Sequence, residues 1–506
     1  MKNVHRLKAS LTPALCVLLC LLMLLSAVSC NGDKKQEQEQ TTQSAATENV
    51  TTSGEQDPGN LSEQELYKPT VKDYDRDLTI YSQGNYFYFS EADGYTGEIV
   101  DDALFRRAAF MRDTYGVNVI VNSKGNSQDL SNALSVGEYV CDFSMLKAVD
   151  SVKLAQKGLF QDLNGLKNLN LSASHWDQRI QSEYAIGDKL YFMEGDYTVY
   201  DEMRTYVVLY NDTLYNDHGY YDTYGTPYQM VADETWTLDK MLTMSKDMYL
   251  DNNHNEIRDE ADSYGIVGEL TLVYYAFLGA GMKTVTNDNG RLSLVIKDDA
   301  AYQVIYDILE DTLKIASNES VLMPQLMTGV DDIWTAASNV FEHGRALFRT
   351  TSLSAADRLG QMSSRFGILP IPAYTENQGG YYCWVSGNNH QPMMIPKSVK
   401  DIDTTGEIIE TFCYHSKYLS GSSLYDSYFE EFRYNKLCRT EDDVNMLDLV
   451  FRSKTFDFDQ TTGVTGIESA MYALARDRQP TQLSSKIASL RGVAQEKLNQ
   501  FILEMS

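Results

Sequence analysis

The chain has 506 residues, 43% of them hydrophobic, and carries 43 Lys and Arg against 71 Asp and Glu for a net charge of -28. That length exceeds one ordinary core and implies two or three lobes. The acidic balance excludes nucleic acid as a partner, because phosphate binding needs a basic surface, and a surface that repels its own copies points to a monomer.

The first residues read as an export signal over positions 1–29. Lys2, Arg6 and Lys8 precede an apolar run from Leu11 to Val28, which ends in the small residues of SAVSC. The ending has the form of a bacterial lipobox, with Ala27 in place of the usual leucine, and makes Cys30 a lipidated mature N-terminus. The alternative is an uncleaved membrane anchor, since the run is near the minimum spanning length. Both place the body outside the cytoplasm, at a membrane surface. Positions 30–72 are rich in Gln, Glu, Thr and Ser and poor in large apolar residues. Such a segment buries too little surface to fold and is expected to be a tether, with a reach of roughly 35 Å.

The folded body begins with DLTIYS as a strand, TGEIVDDALFRRAAFMRDTYG as an amphipathic helix and VNVIVNS as a second strand. SQDLSNALSVGE follows as a helix, YVCDFSML as a strand and AVDSVKLAQKGLFQDLNGL as a helix running into a turn. This alternation predicts an α/β lobe with a mostly parallel sheet covered on both faces. Cys141, Cys383, Cys413 and Cys438 are far apart and form no CxxC pair, so no zinc site is expected. They read as buried thiols, with a Cys413–Cys438 disulfide as the alternative in an exported protein.

From Leu78 onward the ordered landmarks resemble the bacterial extracellular solute-binding proteins of the sugar-binding type, family 1, to which maltose-binding protein belongs. They are the opening strand and polar turn, YGVNVIV, CDF, LAQKGLFQDL, the segment Thr205–Tyr210 followed by Asn211, ETWTLDKM, FEHGRALFRTT and RFGILPIPAYTENQGGYYCWVSGNNHQPMMIP. The resemblance implies two α/β lobes with a hinge and a ligand cleft. One lobe comprises 73–205 and 382–432, the other 206–381 and 433–506. It further implies a lipid-anchored receptor that closes on a carbohydrate, in particular an oligosaccharide, and delivers it to the permease subunits of an ABC transporter. By position, the ligand contacts it implies are Gln83, Asn85, Tyr86, Lys147, Tyr200, Met203 and Trp384. Loop aromatics beside a cleft have less structural reason to be there, and Tyr86 and Trp384 rank first on that ground. Sugar rings stack on Tyr and Trp, of which the chain has 34 and four.

No phosphate loop, GxSxG elbow or pair of histidines at metal-ligand spacing occurs, so no enzyme is expected. Two other classes share the signal, tether and aromatic content: a surface glycan-capture lipoprotein or adhesin without a transporter, and an exported glycosidase.

One further motif stands apart. DNNHNEIRDEAD places Asp251, Asn253, Asn255, the Ile257 carbonyl, Asp259 and Asp262 at positions 1, 3, 5, 7, 9 and 12 of a calcium loop. Position 6, normally glycine, is Glu256, which must take a left-handed conformation at a cost of about 1 kcal/mol. The expectation is a structural Ca2+ in the second lobe, away from the ligand, with a plain acidic turn after a helix as the alternative.

Overall fold

The structure, a computed structural model, describes residues 62–84, 94–327, 330–362, 364–421, 423–429 and 437–506. The export signal, Cys30 and most of the tether lie outside the described residues, as do the expected ligand contacts Asn85 and Tyr86. The tether was expected to run to Lys72, but the chain docks earlier. Ser62 and Glu65 form a reciprocal capping box on the short helix Glu63–Leu66, Tyr414 OH donates to the Gln64 carbonyl at 2.7 Å, and Tyr67 meets His175 edge-on. Two satisfied N–H groups and an aromatic contact hold a segment whose composition alone argues for disorder.

The first lobe opens with β1 (Arg76–Ser82), β2 (Val117–Asn122) and β3 (Phe143–Met145), joined by the helices Ile99–Tyr115 and Ser127–Ser135. Helix Ile99–Tyr115 turns its buried Leu104, Arg107, Met111 and Tyr115 inward and stops at Gly116. Gly116 has φ +63°, and a β-carbon there would strike Asp73, so glycine is required. β1 pairs in parallel with both β2 and β3.

The chain then crosses at Thr205 into β4 (Tyr206–Asn211), followed by β5 (Tyr264–Gly268), the hairpin β6 (Val285–Asp288) and β7 (Arg291–Leu294), β8 (Val321–Leu322), β9 (Ala346–Ser352) and β10 (Phe366–Leu369). The second sheet has the order β10-β4-β9-β5-β8, with β4 antiparallel to both its neighbours. β11 (Cys383–Trp384) brings the chain back, β12 (Met393–Met394) adds to the first sheet to give β12-β3-β1-β2, and β13 (Lys454–Thr455) pairs with β11.

These elements make an α/β fold of two lobes, each built on its own sheet. One core gathers Leu78, Ile80, Phe143, Met145 and Met393 around the first sheet; two others, around Val208, Ile266 and Phe348 and around Leu209, Val340 and Ile368, cover the faces of the second. Three segments from the range assigned to the second lobe also reach the first core, one of them carrying Phe456, Phe458 and Val464. Val285 of β6 packs there, and the final helix Leu483–Met505 buries Leu483, Ile487 and Ala494 in a second-lobe core but Leu498, Phe501 and Met505 in the first. Cys141, Cys383 and Cys413 are buried free thiols, and Cys438 is half-buried.

Candidate ligand site between the lobes

The lobes are joined by three adjacent strand segments. Thr205 bridges Val385, and β11 pairs with β13. Beside this junction the carboxyl ends of the parallel strands from both lobes meet, where open α/β sheets bind their ligands. A chain of hydrogen bonds traces the meeting. After β3, the backbone N–H groups of Ala148 and Val149 donate to the carbonyls of His390 and Gly387. In the same SGNNHQ segment, Asn389 Nδ2 donates to Tyr206 OH at 3.2 Å, and Tyr206 OH donates to Glu269 Oε2 at 3.1 Å, just past the end of β5. Asn389, Tyr206 and Glu269 therefore form a polar floor from one lobe to the other.

Glu269 is the unusual member. Its Oε2 also accepts from Thr271 Oγ1 at 3.4 Å. Burial pushes its carboxyl up to about 7, outweighing the opposing pull of the Tyr206 hydrogen bond and the Arg349 charge. Behind the floor, Trp384 stacks on Tyr206 with centroids 5.5 Å apart and meets Tyr275 at 4.6 Å. On the first-lobe side Arg204 lies 4.8 Å over the Tyr200 ring and donates to Ser354 Oγ, beyond the end of β9, at 3.3 Å.

The expected ligand residues fall into two groups. Gln83 and Lys147 sit together at the ends of β1 and β3: Gln83 Oε1 accepts from the Lys147 backbone N–H at 3.1 Å, and Gln83 Nε2 donates to Asp150 at 3.3 Å. Tyr200 and Met203 are buried beside the crossing, each in a hydrophobic core. Trp384, read from the sequence as a loop aromatic, lies in a strand and is 0% exposed. Its faces serve Tyr206 and Tyr275, and its Nε1 has no hydrogen-bond partner. Sequence reasoning passed over Glu269, Asn389 and Tyr206. The available signals were a lone carboxylate between the apolar runs YGIVG and LTLVYYAFLG, and a polar SGNNHQ between apolar segments.

A separate cavity of about 660 Å³ borders the crossing strands and is lined by Trp176, Asp177, Arg179, Glu202, Tyr425 and Phe451, among others. Lys454 of β13 projects into the buried charges beside it, contacting Asp201, Glu202 Oε1 at 2.6 Å and Asp177 Oδ2 at 3.2 Å. Burial disfavours the ammonium, but these carboxylates outweigh it and hold Lys454 above the usual lysine range. Burial also opposes the Asp177 charge, yet Lys454 and Arg179 keep its carboxyl well below the usual range; burial and Asp201 drive Glu202 well above it.

The acidic loop lies at the other end of the second sheet. Leu250 and Ser263 pair across its base, and β5 then runs roughly 16 Å to the polar floor. Glu256 has φ +59°, the conformation required of position 6. Asp251 accepts the N–H groups of Asn255 and Glu256 at 3.3 and 2.9 Å. The amide nitrogens of Asn253 and Asn255 both donate to Asp259 Oδ2, at 3.2 and 2.9 Å, and turning the amides over would present oxygens instead. Asp262 is buried, with its oxygens accepting from the backbone N–H groups of Asn252 and Asp259. Among the described residues no three His, Cys, Asp or Glu side chains converge as a metal cluster. The loop's donor set instead mixes carboxylates with amides and the Ile257 carbonyl, oxygen chemistry that suits Ca2+.

No protein-family model matches the chain, and no curated protein matches it. Among solved structures it is similar to a cyclo/maltodextrin-binding protein in complex with maltotetraose, with 13% identity over 82% of this chain and 96% of that one and a TM-score of 0.53. At that identity the likeness concerns the fold, and it agrees with the two-lobed α/β architecture.

Proposed function

We propose that this protein captures a carbohydrate, in particular an oligosaccharide, between its two lobes and hands it to the permease of an ABC transporter, held at the outer face of the membrane by a lipid on Cys30. The observation that carries this reading is the polar floor Asn389–Tyr206–Glu269, which links the lobes where their strand ends meet and is backed by Trp384 and Tyr275. Hydroxyl-rich ligands need such alternating donors and acceptors beside aromatic surface. The fold shared with a maltodextrin-binding protein supports the same ligand class.

In this mechanism no covalent bond changes. Gln83, Lys147 and Arg204 contact the ligand from the first lobe, and Glu269 and Ser354 from the second. Closure is stabilised only because the ligand bridges both sets. Asp251, Asn253, Asn255, the Ile257 carbonyl, Asp259 and Asp262 would hold Ca2+ as a staple at the far end of β5, outside the capture step.

Calorimetry and small-angle scattering with malto-, cello-, xylo- and manno-oligosaccharides test the proposal. Binding of one series with a smaller radius of gyration is the expected result. Absence of binding and compaction with every series refutes it, and hydrolysis of any of them replaces it with the glycosidase reading.

A further inference from the structure

The cavity of about 660 Å³ beside the crossing strands lies within the size range of small-molecule sites, roughly 300–1,000 Å³. Among the described residues it shares no lining residue with the polar floor. Its first-lobe wall is made by Trp176 and Asp177, which lead into helix Gln178–Tyr184, by Asp196, and by Asp201 and Glu202 of the short helix Tyr200–Met203. A second wall includes Phe451 of helix Glu441–Arg452, which buries Leu447 and Val450 in a core of the second sheet. Arg179 Nη1 donates to the Phe451 carbonyl at 2.9 Å and ties the two walls together. A molecule held here touches both lobes.

Two chemistries meet in this space. The first is aromatic. Phe429 lies against Phe451 with centroids 5.0 Å apart and against Tyr425 at 4.4 Å. Lys417 Nζ stands 4.9 Å over the Tyr425 ring, so the lining already holds one ammonium of the protein's own by cation–π attraction. The second is anionic. Lys417 also reaches Asp196 Oδ2 at 3.1 Å, yet burial pushes the Asp196 carboxyl up to about 6 against that pull. Glu202 lies 2.6 Å from Lys454, yet burial and the neighbouring Asp201 drive its carboxyl well above the ordinary range. Each of these carboxyls is buried more deeply than its own cation offsets. A further cation in the cavity relieves both, and an apolar body on that cation covers the rings. An anion instead meets Asp177, Asp196, Asp201 and Glu202.

We propose that this cavity is a second binding site, for an organic cation of the linear diamine class, in which a short apolar chain carries primary ammonium groups. The ammonium groups pair with Asp196 and Glu202, and the chain lies along Phe429 and Phe451. The site is independent of the saccharide reading, because none of the residues proposed for capture lines it.

The test is calorimetric titration of the full chain with 1,4-diaminobutane and 1,5-diaminopentane, at about 150 mM salt to screen the acidic surface. 1,4-Butanediol and succinate serve as the neutral and anionic controls. The variants are Asp196→Asn, Glu202→Gln and, as a control for surface attraction, Asp188→Asn, which removes an exposed carboxylate that does not line the cavity. The wild type is expected to bind one diamine per chain and neither control compound. Asp196→Asn and Glu202→Gln are expected to weaken that binding at least about 10-fold, the worth of a hydrogen bond to a charged group, and Asp188→Asn to leave it unchanged. Melting curves check that each variant is folded; if Glu202→Gln is not, Asp196→Asn alone decides. Absence of diamine binding to the wild type, equal binding of butanediol, or an affinity for Asp196→Asn equal to that of Asp188→Asn overturns the inference and leaves the saccharide reading standing.

Discussion

Replacing Lys454 with methionine removes the ammonium from a buried cluster and leaves its carboxylates behind. The Lys454 side chain is 1% exposed, and those of Asp177, Asp201 and Glu202 are 11%, 5% and 14% exposed, so water cannot take over its role. Removing one partner of a buried ion pair costs about 3–5 kcal/mol. Three acids then face the single guanidinium of Arg179, which already donates to both Asp177 oxygens at 2.9 and 2.7 Å. For lobes of this size, roughly 2–4 °C per kcal/mol turns that cost into a melting point lower by about 6–20 °C at pH 7. The pH dependence gives an independent check. Asp177 is depressed in the folded protein, so its contribution is present above the unfolded carboxylate pKa and is lost as pH falls toward the folded value. Methionine removes most of that contribution, and the gap between variant and wild type should therefore hold from pH 7 to the unfolded value of 3.8 and narrow only on further acidification. Scanning calorimetry across that range measures both quantities. A melting point within about 2 °C of wild type at pH 7, or a gap that widens below the unfolded carboxylate value, refutes the account of Lys454 as the charge that holds the crossing strands together.

Glu269→Gln should remove a pH-dependent instability. The folded pKa of about 7 exceeds the ordinary carboxyl value of 4.5, so the folded wild type binds the extra proton and loses stability as pH rises through that window. The variant should match wild type near pH 4 and melt a few degrees higher at pH 8; identical pH profiles contradict this. Tyr206→Phe breaks the Asn389–Tyr206–Glu269 floor and should weaken saccharide binding about 5-fold, the worth of one hydrogen bond, as read by calorimetry. Millimolar Ca2+ should raise the melting point and chelator should reverse it, with saccharide affinity unchanged; Asp251→Asn together with Asp259→Asn should abolish the shift, and no shift in the wild type rules out the ion.

The order of strands and helices was legible because hydrophobic period and turn residues are local properties. VNVIVNS, FEHGRALFRTT and the crossing into Asn211 appear as β2, β9 with its preceding helix, and β4. The twelve-residue spacing of the acidic loop was equally local, down to the left-handed Glu256. The sequence by itself thus determined a two-lobed α/β chain. Which aromatics meet water was decided only by packing. Trp384 sits beside polar residues in the sequence yet is sealed between Tyr206 and Tyr275, while Trp334, at the start of the helix before β9, stands half exposed. The charges were hidden for the same reason: Lys454 and Asp201 lie 253 residues apart, and no local pattern announces a partner at that distance. Burial and pairing arise where separate segments converge, and only the folded chain fixes those meetings.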